Sequence, residues 1–460
     1  MEMARRDFLV GAGAASAAFG AAYPKLARSE VPAPELLRDP AQLIDLPRGF
    51  SYAIVSRAGD PLSDGLLTPD RPDGMALFRL DRQRHLLLRN HENGVEHGGR
   101  GSFGESFPSA LKDRVYDFDD AGKPLPGGVT GLIWNTASGR VERSWAALSG
   151  TLINCSGGPT PWGSWISCEE TIVRKGENAQ VDHGYNFEIP MHARSLVTPV
   201  PLKAMGRFRH EGVAVDPRTG VVYQTEDRKN GLFYRFLPNV PGELSKGGRL
   251  QALAIRGEPN RDTRNWPGGV PMIEPERIAL RKPLAVEWID LDDVENLQDD
   301  LRMRGAIKGA AIFARGEGVW FGHGELFFTC TIGGANEGGQ IWRYRPSRFE
   351  GRAGEEARSP GSLTLWSEPG EAALMDRCDN ITIHPSGSLV VCEDGEQENY
   401  VRLLGRDGAW HRVARNAHPE GGEMTGASFT PDGRTLFVNL QDAGVTLAVT
   451  GPWDDLARRT

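Results

Sequence analysis

Cysteine is scarce in this sequence, and basic charge is not in excess. Five cysteines in 460 residues are far too few for a disulfide scaffold. The 53 Lys and Arg are outnumbered by 61 Asp and Glu, and the net charge of −8 excludes broad electrostatic attraction to nucleic acid. Fractions of 39% hydrophobic and 25% charged residues exclude disorder throughout the chain.

Several motifs of common enzyme classes are absent as well. The histidines are scattered without zinc-ligand spacing, and the sequence has neither a phosphate-binding P-loop nor the Gly-x-Ser-x-Gly of serine hydrolases. Long amphipathic helical patterns are few, so a parallel α/β fold lacks its helices. The sequence therefore favours a β-rich fold and a chemistry without these motifs.

The first thirty residues have the features of an export signal. The twin arginines Arg5 and Arg6 precede a Phe-Leu pair and a Gly/Ala-rich, weakly apolar stretch that ends near Tyr23. This stretch is too short, and its side chains are too small, for a membrane anchor. We predict a twin-arginine signal peptide over residues 1–28. The protein is then exported by the twin-arginine machinery and is periplasmic or secreted.

Turn residues are abundant, with 57 Gly and 31 Pro between short apolar runs. Many segments match one template: a polar opener, an apolar strand, a Pro/Gly turn, a second apolar strand and an acidic or amide closer. Residues 211–227 are the clearest copy. Five further segments match all or part of the template: residues 379–394, 423–442, 317–331, 161–170 and 85–92.

A third strand follows four of these copies. Six copies predict an all-β fold, a six-bladed β-propeller with loop insertions, in a single domain over residues 29–460. A β-sandwich does not explain a repeated hairpin with a third strand. Within the insertions, we expect residues 290–300 to form a solvated helix or loop and residues 351–360 to form a surface loop.

The template places polar residues at one end of each hairpin. In an antiparallel hairpin, the start of the first strand lies beside the end of the second. Because the inner strands of a propeller run along its axis, these ends meet at one mouth of the channel. We expect the following residues there: Glu92, Glu169, Glu170, Glu211, Glu226, Asp227, Glu317, Asp379, Asn380, Glu393 and Glu423. Such a ring repels itself unless some members are protonated or bind cations; ordinary solvated hairpin ends are the alternative.

The donor types in this ring indicate which metals it can hold. Carboxylates with the amide of Asn380 suit Ca²⁺ or Mg²⁺. A thiolate among them points to a transition metal, and Cys155, in a Gly/Pro-rich loop, is the candidate. Cys168, Cys330 and Cys392 lie in strands, where a small buried hydrophobic role is expected.

Arg315 is the one cationic residue that stands out among these acids, two residues before Glu317. At the same mouth, its guanidinium can grip a phosphate or a carboxylate with a fork of donors. A structural salt bridge is the alternative interpretation.

The segment from Asn154 to Glu170, with its Cys and Trp-rich turn, resembles the signature of the PhoX alkaline phosphatases. Residues 206–212, 315–317, 379–380 and 433–441 resemble the same family in the same order, and the twin-arginine signal fits it. The resemblance implies a monomeric six-bladed propeller that holds iron (Fe³⁺) and calcium (Ca²⁺) joined through a bridging oxo group. It also implies hydrolysis of small phosphate monoesters without a protein nucleophile.

The resemblance assigns roles to individual residues. It implies iron ligands at Cys155, Glu170 and Glu211. It implies positions near calcium at Glu317, Asp379, Asn380 and Glu169. Arg315 matches the arginine that binds the phosphate, which makes it the candidate catalytic and substrate-binding residue.

Two other classes fit part of the pattern. A calcium-dependent propeller hydrolase, such as a lactonase, uses carboxylates and one Ca²⁺ but leaves Cys155 and Arg315 unexplained. A non-catalytic propeller binds structural Ca²⁺ and presents its mouth to a ligand or protein. Metal analysis distinguishes the classes, because only the phosphatase requires iron together with calcium.

Overall fold

The computed structural model describes residues 34–95, 98–104, 106–266, 277–334, 336–371, 374–405 and 408–459. The predicted signal peptide over residues 1–28 lies outside the described residues, as does the boundary predicted after it. Within the described residues, no helix is both long and apolar enough to cross a membrane.

Strands dominate the described chain. The first thirteen are β1 (Leu36–Leu37), β2 (Ile44–Pro47), β3 (Ser51–Arg57), β4 (Pro72–Arg79), β5 (Arg84–His91), β6 (Gly127–Asn135), β7 (Arg140–Thr151), β8 (Asn154–Pro159), β9 (Ser164–Glu169), β10 (Asn186–Pro190), β11 (His210–Val215), β12 (Val222–Glu226) and β13 (Phe233–Pro238). The others are β14 (Gly248–Ile255), β15 (Pro283–Asp290), β16 (Gly316–Gly322), β17 (Glu325–Cys330), β18 (Gln340–Arg345), β19 (Ser362–Ser367), β20 (Cys378–Ile383), β21 (Leu389–Glu393), β22 (Tyr400–Leu404), β23 (Trp410–Asn416), β24 (Met424–Phe429), β25 (Thr435–Leu440) and β26 (Val445–Thr450). Three short helices are α1 (Leu301–Ile307), α2 (Ala353–Glu356) and α3 (Trp453–Arg459).

The strands form six antiparallel units around one axis. Four units are β4–β7, β8–β10, β20–β23 and β24–β26 with β3. The other two, β11–β14 and β16–β19, belong to one nine-stranded sheet because β15 pairs with both β14 and β19. The innermost strands β4, β8, β11, β16, β20 and β24 each contact the next, and β24 contacts β4 again. The ring is therefore closed, and the predicted all-β propeller is confirmed.

Strands from both ends of the described chain share one blade. β3 forms the outer edge of the sheet that holds β24–β26, with Ser56 opposite Thr446. This pairing covers the edge of β26 and joins residue 51 to residue 450 in one sheet. Closure of the ring in this way gives the mouth a fixed geometry.

Buried aromatic and aliphatic side chains fill the spaces between the blades. Trp145, Trp165 and Phe187 lie in one cluster between β4–β7 and β8–β10, and Phe233, Phe328 and Trp342 lie in another between the two units of the nine-stranded sheet. Inner and second strands are buried on both faces, as strands covered by neighbouring sheets are expected to be. The polar residues that remain in these strands are confined mainly to their ends.

Two expectations about the insertions meet different outcomes. Of the helix or loop predicted for residues 290–300, the loop alternative is found over residues 291–300, since β15 ends at Asp290 and α1 begins only at Leu301. The segment expected to be a surface loop contains α2, in which Glu356 is buried and pairs with Arg235, with oxygen–nitrogen distances of 2.5 and 2.9 Å. The reason is the buried Arg235 guanidinium on β13, which requires carboxylate partners.

Candidate metal centre

An irregularity recurs at the start of every inner strand. In five blades the pairing of the inner strand shifts register between its first and fourth residues, for example between His210 and Val213. In the sixth blade the shift lies between Thr425 and Ser428. A β-bulge bends its strand and redirects a side chain. Here the bulge turns the beginning of each inner strand toward the mouth.

Three positions recur in each blade at this bulge. The entry residues are Arg71, Ile153, Arg209, Arg315, Arg377 and Glu423. Their carbonyl oxygens accept hydrogen bonds of 2.8–3.3 Å from the backbone N–H of the exit residues, which follow the second strands: Glu92, Glu170, Asp227, Thr331, Asp394 and Gln441. Two residues after each entry residue stands a central residue: Asp73, Cys155, Glu211, Glu317, Asp379 and Thr425.

The central residues of five blades converge into overlapping groups of candidate ligands. In each group the ligand atoms lie within 4.8 Å of one another. The groups are Asp73 with Glu92 and Cys155, Cys155 with Glu170 and Glu211, and Glu211 with Glu317 and Asp379. Cys155 links the first two groups, and Glu211 links the last two. The arrangement therefore supplies a continuous row of oxygen donors with a single sulfur donor.

Glu211 has an exceptional environment. Its side chain is fully buried, and among the described residues neither carboxylate oxygen has a hydrogen-bond partner. Oδ1 of Asp73 is also buried without a partner there, although Oδ2 accepts a 2.6 Å bond from Gln441. A buried ionised carboxylate without a partner costs several kcal/mol, on the order of the unpaired-charge penalty measured in other proteins. A bound cation removes that penalty.

Burial and mutual repulsion change the protonation of this row. Burial, reinforced by the carboxylates of Glu317 and Glu170, raises the pKa of Glu211 well above its usual range. Burial also raises the pKa of Cys155, and the Asp73 carboxylate adds to the effect. A cation reverses both influences, since thiolate and carboxylate are the forms that coordinate metals.

Arg315 lies at the mouth and is held by carboxylates. Its Nε and one Nη donate to Asp227 at 2.8 and 3.0 Å, and that Nη also donates to Glu317 at 2.7 Å. The other Nη lies 4.0 Å from Asp394. The guanidinium is thus a partner of a candidate ligand and still presents one Nη to the mouth.

The sequence suggested that Arg315 is the single cation at the mouth, but the structure places other arginines there as well. Arg71, Arg209 and Arg377 occupy the same entry position in three other blades. Arg71 is firmly held, because it donates to Glu92 at 2.9 Å and to Asp442 at 2.8 Å. The common signal in the sequence is an arginine two residues before an acidic residue.

Glu169 does not join the row, contrary to the expectation that it lies near calcium. Its Oε1 accepts bonds from His183 at 2.7 Å and from the Leu152 N–H at 3.0 Å, and its Oε2 accepts from the Gly184 N–H at 2.9 Å. Successive side chains of a strand point to opposite sides, so Glu170 reaches the mouth while Glu169 points between strands. The correction is that Glu169 is an internal hydrogen-bond acceptor.

The same alternation removes two more residues from the predicted ring. Glu226 accepts a 2.7 Å bond from the Tyr234 hydroxyl, and Glu393 accepts a 2.6 Å bond from Arg402. Their neighbours Asp227 and Asp394 are the exit residues instead. Of the other predicted ligands, Glu317 and Asp379 lie in the third group. Asn380 is buried, donates to Asp379 at 3.1 Å and accepts from the Gly426 N–H.

Asp73 and Gln441 were missed by reasoning from the sequence. The repeat template matches only the second strand of this blade, residues 85–92. The signal in the first strand is Asp73 followed by Gly74, the same acid-glycine pair as Glu211-Gly212 and Glu317-Gly318. Gln441 donates to Asp73 at 2.6 Å and to Glu92 at 2.8 Å. It therefore orients two carboxylates at once.

Hydrogen bonds between blades hold the bulges. Near the end of a second strand, a polar side chain donates to the main-chain oxygen of the next blade's central residue. Thr225 donates to Glu317 and Thr329 to Asp379, each at 2.5 Å, and Asn439 donates to Asp73 at 2.8 Å. Asn90 likewise donates to Cys155 at 3.2 Å. The candidate ligands are thus positioned by the neighbouring blade.

Comparisons with known proteins agree with this architecture. A model of the family "Alkaline phosphatase PhoX" matches residues 31–122 and 127–444. The structure of Pseudomonas fluorescens PhoX in complex with vanadate, described as a transition state analogue, superposes with a TM-score of 0.64 at 18% identity, over 92% of this chain and 97% of that one. A Xanthomonas campestris gluconolactonase gives a TM-score of 0.40 at 13% identity, over 92% of this chain and 98% of that one. A search of curated proteins found no match.

The fold and the site define a propeller with a candidate metal centre at its mouth. Because the family model spans most of the sequence, the chain belongs to the PhoX alkaline phosphatase family. Membership supports a phosphatase function for this hydrolase, with phosphate esters as substrates.

Proposed function

We propose that this protein hydrolyses phosphate monoesters at a mixed iron and calcium centre in the propeller mouth. The observation that carries the proposal is the buried carboxylate of Glu211, which has no hydrogen-bond partner among the described residues and lies in two of the three ligand groups found there. Cys155, Glu170 and Glu211 would hold iron, because a thiolate with carboxylates suits a transition metal. Glu317 and Asp379 would hold calcium through oxygen donors.

The donor set fits these ions chemically. One sulfur and several carboxylate oxygens lie close together, and among them Glu211 and Asp73 carry buried oxygen atoms that no group in the described part of the chain contacts by a hydrogen bond. When bound, the ions would stabilise negative charge on the phosphate and lower the pKa of the water that attacks phosphorus. The carboxylates would hold the ions in place. Gln441 and the inter-blade hydrogen bonds fix the orientation of these carboxylates.

Two hydroxyl groups belong to the central and exit residues, and both donate hydrogen bonds to main-chain oxygens. This supports chemistry without a protein nucleophile. The exit residue Thr331 donates to the carbonyl oxygen of Cys378 at 2.9 Å, and the central residue Thr425 donates to that of Pro72 at 3.0 Å. Neither has a histidine base as its acceptor. Activation of a hydroxyl nucleophile requires such a base.

Arg315 would bind the non-bridging oxygens of the phosphate. As charge develops in the transition state, a guanidinium fork stabilises it. We expect Arg315→Ala to cost about 2–4 kcal/mol of transition-state stabilisation, roughly a thirty- to thousandfold loss of kcat/KM. Arg315→Lys should recover part of it. Kinetics with p-nitrophenyl phosphate and metal content are measured together; joint loss of metal and activity would make Arg315 a structural partner of Glu317.

The proposed reaction is tested by stripping and restoring metals. Wild-type protein should hydrolyse p-nitrophenyl phosphate, lose the activity after chelation, and regain it only when iron and calcium are both returned. Recovery with calcium alone would refute the iron requirement, whereas absence of p-nitrophenyl phosphate hydrolysis by the metal-loaded wild type would favour the lactonase or binding-protein alternatives, which leave Cys155 without a role. Export by the twin-arginine machinery, a periplasmic or secreted location and a monomeric state are part of the same proposal.

A further inference from the structure

Two of the four entry arginines are held only loosely. The Arg209 side chain is 41% exposed, and its contact with Glu170, at 3.4 Å, is longer than the 2.7–2.9 Å typical of a charge-assisted bond. Its Nε has no hydrogen-bond partner within the described part of the chain. Arg377 is 33% exposed and pairs at 2.8 Å with Glu396, which is itself 77% exposed. Ion pairs as exposed as this contribute little energy, about 0–1 kcal/mol.

These two arginines stand on either side of Arg315. Arg209, Arg315 and Arg377 are the entry residues of three consecutive blades, whose inner strands β11, β16 and β20 contact one another in that order. Each carbonyl oxygen is fixed by the exit residue of its own blade. The chain therefore enters the mouth at the same place in all three blades, with the tightly held arginine in the middle.

Arg71 provides an internal comparison. It occupies the entry position of another blade, yet Glu92 and Asp442 engage it through three bonds of 2.8–3.1 Å. The repeated backbone geometry thus does not by itself leave a guanidinium free. Arg209 and Arg377 have fewer side-chain bonds than Arg71 and Arg315, and they are more exposed, at 41% and 33% against 24% for Arg71 and 28% for Arg315.

We infer that Arg209 and Arg377 form a subsite for a second anionic group on the substrate, next to the phosphate held by Arg315. This inference rests on the proposed function and specifies its substrate class: phosphomonoesters whose leaving group carries a carboxylate or another phosphate. A cation at Glu170 would compete with Arg209 for that carboxylate and free the guanidinium further. Arg209 is the main anchor, because Arg377 still has a 2.8 Å partner.

The test uses two substrates that differ in one group. 3-Phosphoglycerate carries a carboxylate where glycerol 3-phosphate carries a hydroxymethyl group. We expect Arg209→Ala to lower the preference for 3-phosphoglycerate, measured as the ratio of the two kcat/KM values, about fivefold, the effect of one partly exposed charge pair. Arg377→Ala should lower it less, and Arg209→Lys should keep most of it. The difference should shrink at high salt.

Controls separate this inference from the proposed function. Arg249→Ala removes an exposed arginine on β14 that is paired with the exposed Asp290, and it should leave the ratio unchanged. Absence of turnover of both substrates by the wild type refutes the proposed function. An unchanged ratio of the two kcat/KM values in Arg209→Ala, whether both fall equally or neither falls, overturns the subsite. Loss of bound metal in this variant, measured by plasma emission, also overturns it.

Discussion

Buried carboxylates in this propeller occur in two contrasting settings. Between strands, each has a cationic or backbone donor: Glu169 binds His183, and Glu350 binds Arg235 at 2.6 Å. At the mouth, Glu211 is equally buried but has no donor among the described residues. The first setting is complete in the polypeptide itself. In our proposal the second is completed by a bound cation, because a buried ionised carboxylate without a partner is costly.

The contrast explains why the same residue types have different roles in adjacent positions. Glu169 and Glu170 are neighbours in the sequence, yet Glu169 accepts four internal bonds and Glu170 lies in a ligand group with Cys155. Strand alternation separates them. Substitutions at the mouth should therefore change metal content and activity, whereas substitutions between strands should change stability. The unfolding free energy of the metal-free protein should change with opposite sign in the two settings.

The largest effect is expected for Cys155→Ser. A hydroxyl is a weaker and harder donor than a thiolate, so the variant should lose iron and with it most activity, on the order of a thousandfold. Cys168→Ser, in a strand and outside the ligand groups, should lose packing stability while keeping its metal. Kinetics with p-nitrophenyl phosphate, metal content and circular dichroism measure these outcomes. Equal activity in Cys155→Ser and wild type would show that Cys155 is a buried loop residue.

Stability should change in opposite directions at the two settings. Arg235→Leu leaves Glu350 and Glu356 buried without their cation and should cost about 3–5 kcal/mol of unfolding free energy. Glu211→Gln removes a source of repulsion and should stabilise the metal-free protein by about 1–2 kcal/mol. Denaturant unfolding of chelated samples provides the comparison. A destabilised Glu211→Gln would mean that Glu211 is satisfied without metal.

The paired setting should also depend on pH. Burial alone lowers the pKa of His183 below its ordinary value of 6.5. The carboxylates of Glu169 and Asp117 outweigh burial and raise this pKa to about 9. Because the folded value is the higher one, the stabilisation is complete below about pH 6.5 and is lost as pH rises through about 9. His183→Gln should cost roughly 3 kcal/mol near pH 6 and much less near pH 10. A cost independent of pH would contradict a charged His183.

The smallest effect is expected from the bonds between blades. Thr329→Val keeps the side-chain volume but removes the bond to the carbonyl oxygen of Asp379, at a cost of about 1 kcal/mol. Metal should dissociate faster from this variant, while kcat of the fully loaded enzyme changes little. Thr329→Ser, which retains the hydroxyl, should restore metal retention. Similar metal release from Val and Ser variants would show that packing, and not the bond, holds the bulge.

The sequence predicted more of the fold than of the site. The hairpin template with its third strand led to the propeller, and the pairing of hairpin ends led to an acidic mouth containing Glu211 and Glu317. The sequence did not show which residue of each pair, Glu169 or Glu170 and Glu393 or Asp394, reaches the mouth. That depends on the residue at which the second strand ends. The bulge that presents Asp73 is set by contacts with the neighbouring blade, such as the bond from Asn439, and these contacts join residues far apart in the chain.

Metal content of protein folded in a native-like host tests the central claim most directly. Plasma emission spectrometry should find iron together with calcium in the wild type, and Glu211→Gln should lose iron while its fold, followed by circular dichroism, is retained. This result is expected because the Glu211 carboxylate belongs to two ligand groups and has no other partner among the described residues. Folded, active wild-type protein that contains neither metal would contradict the account.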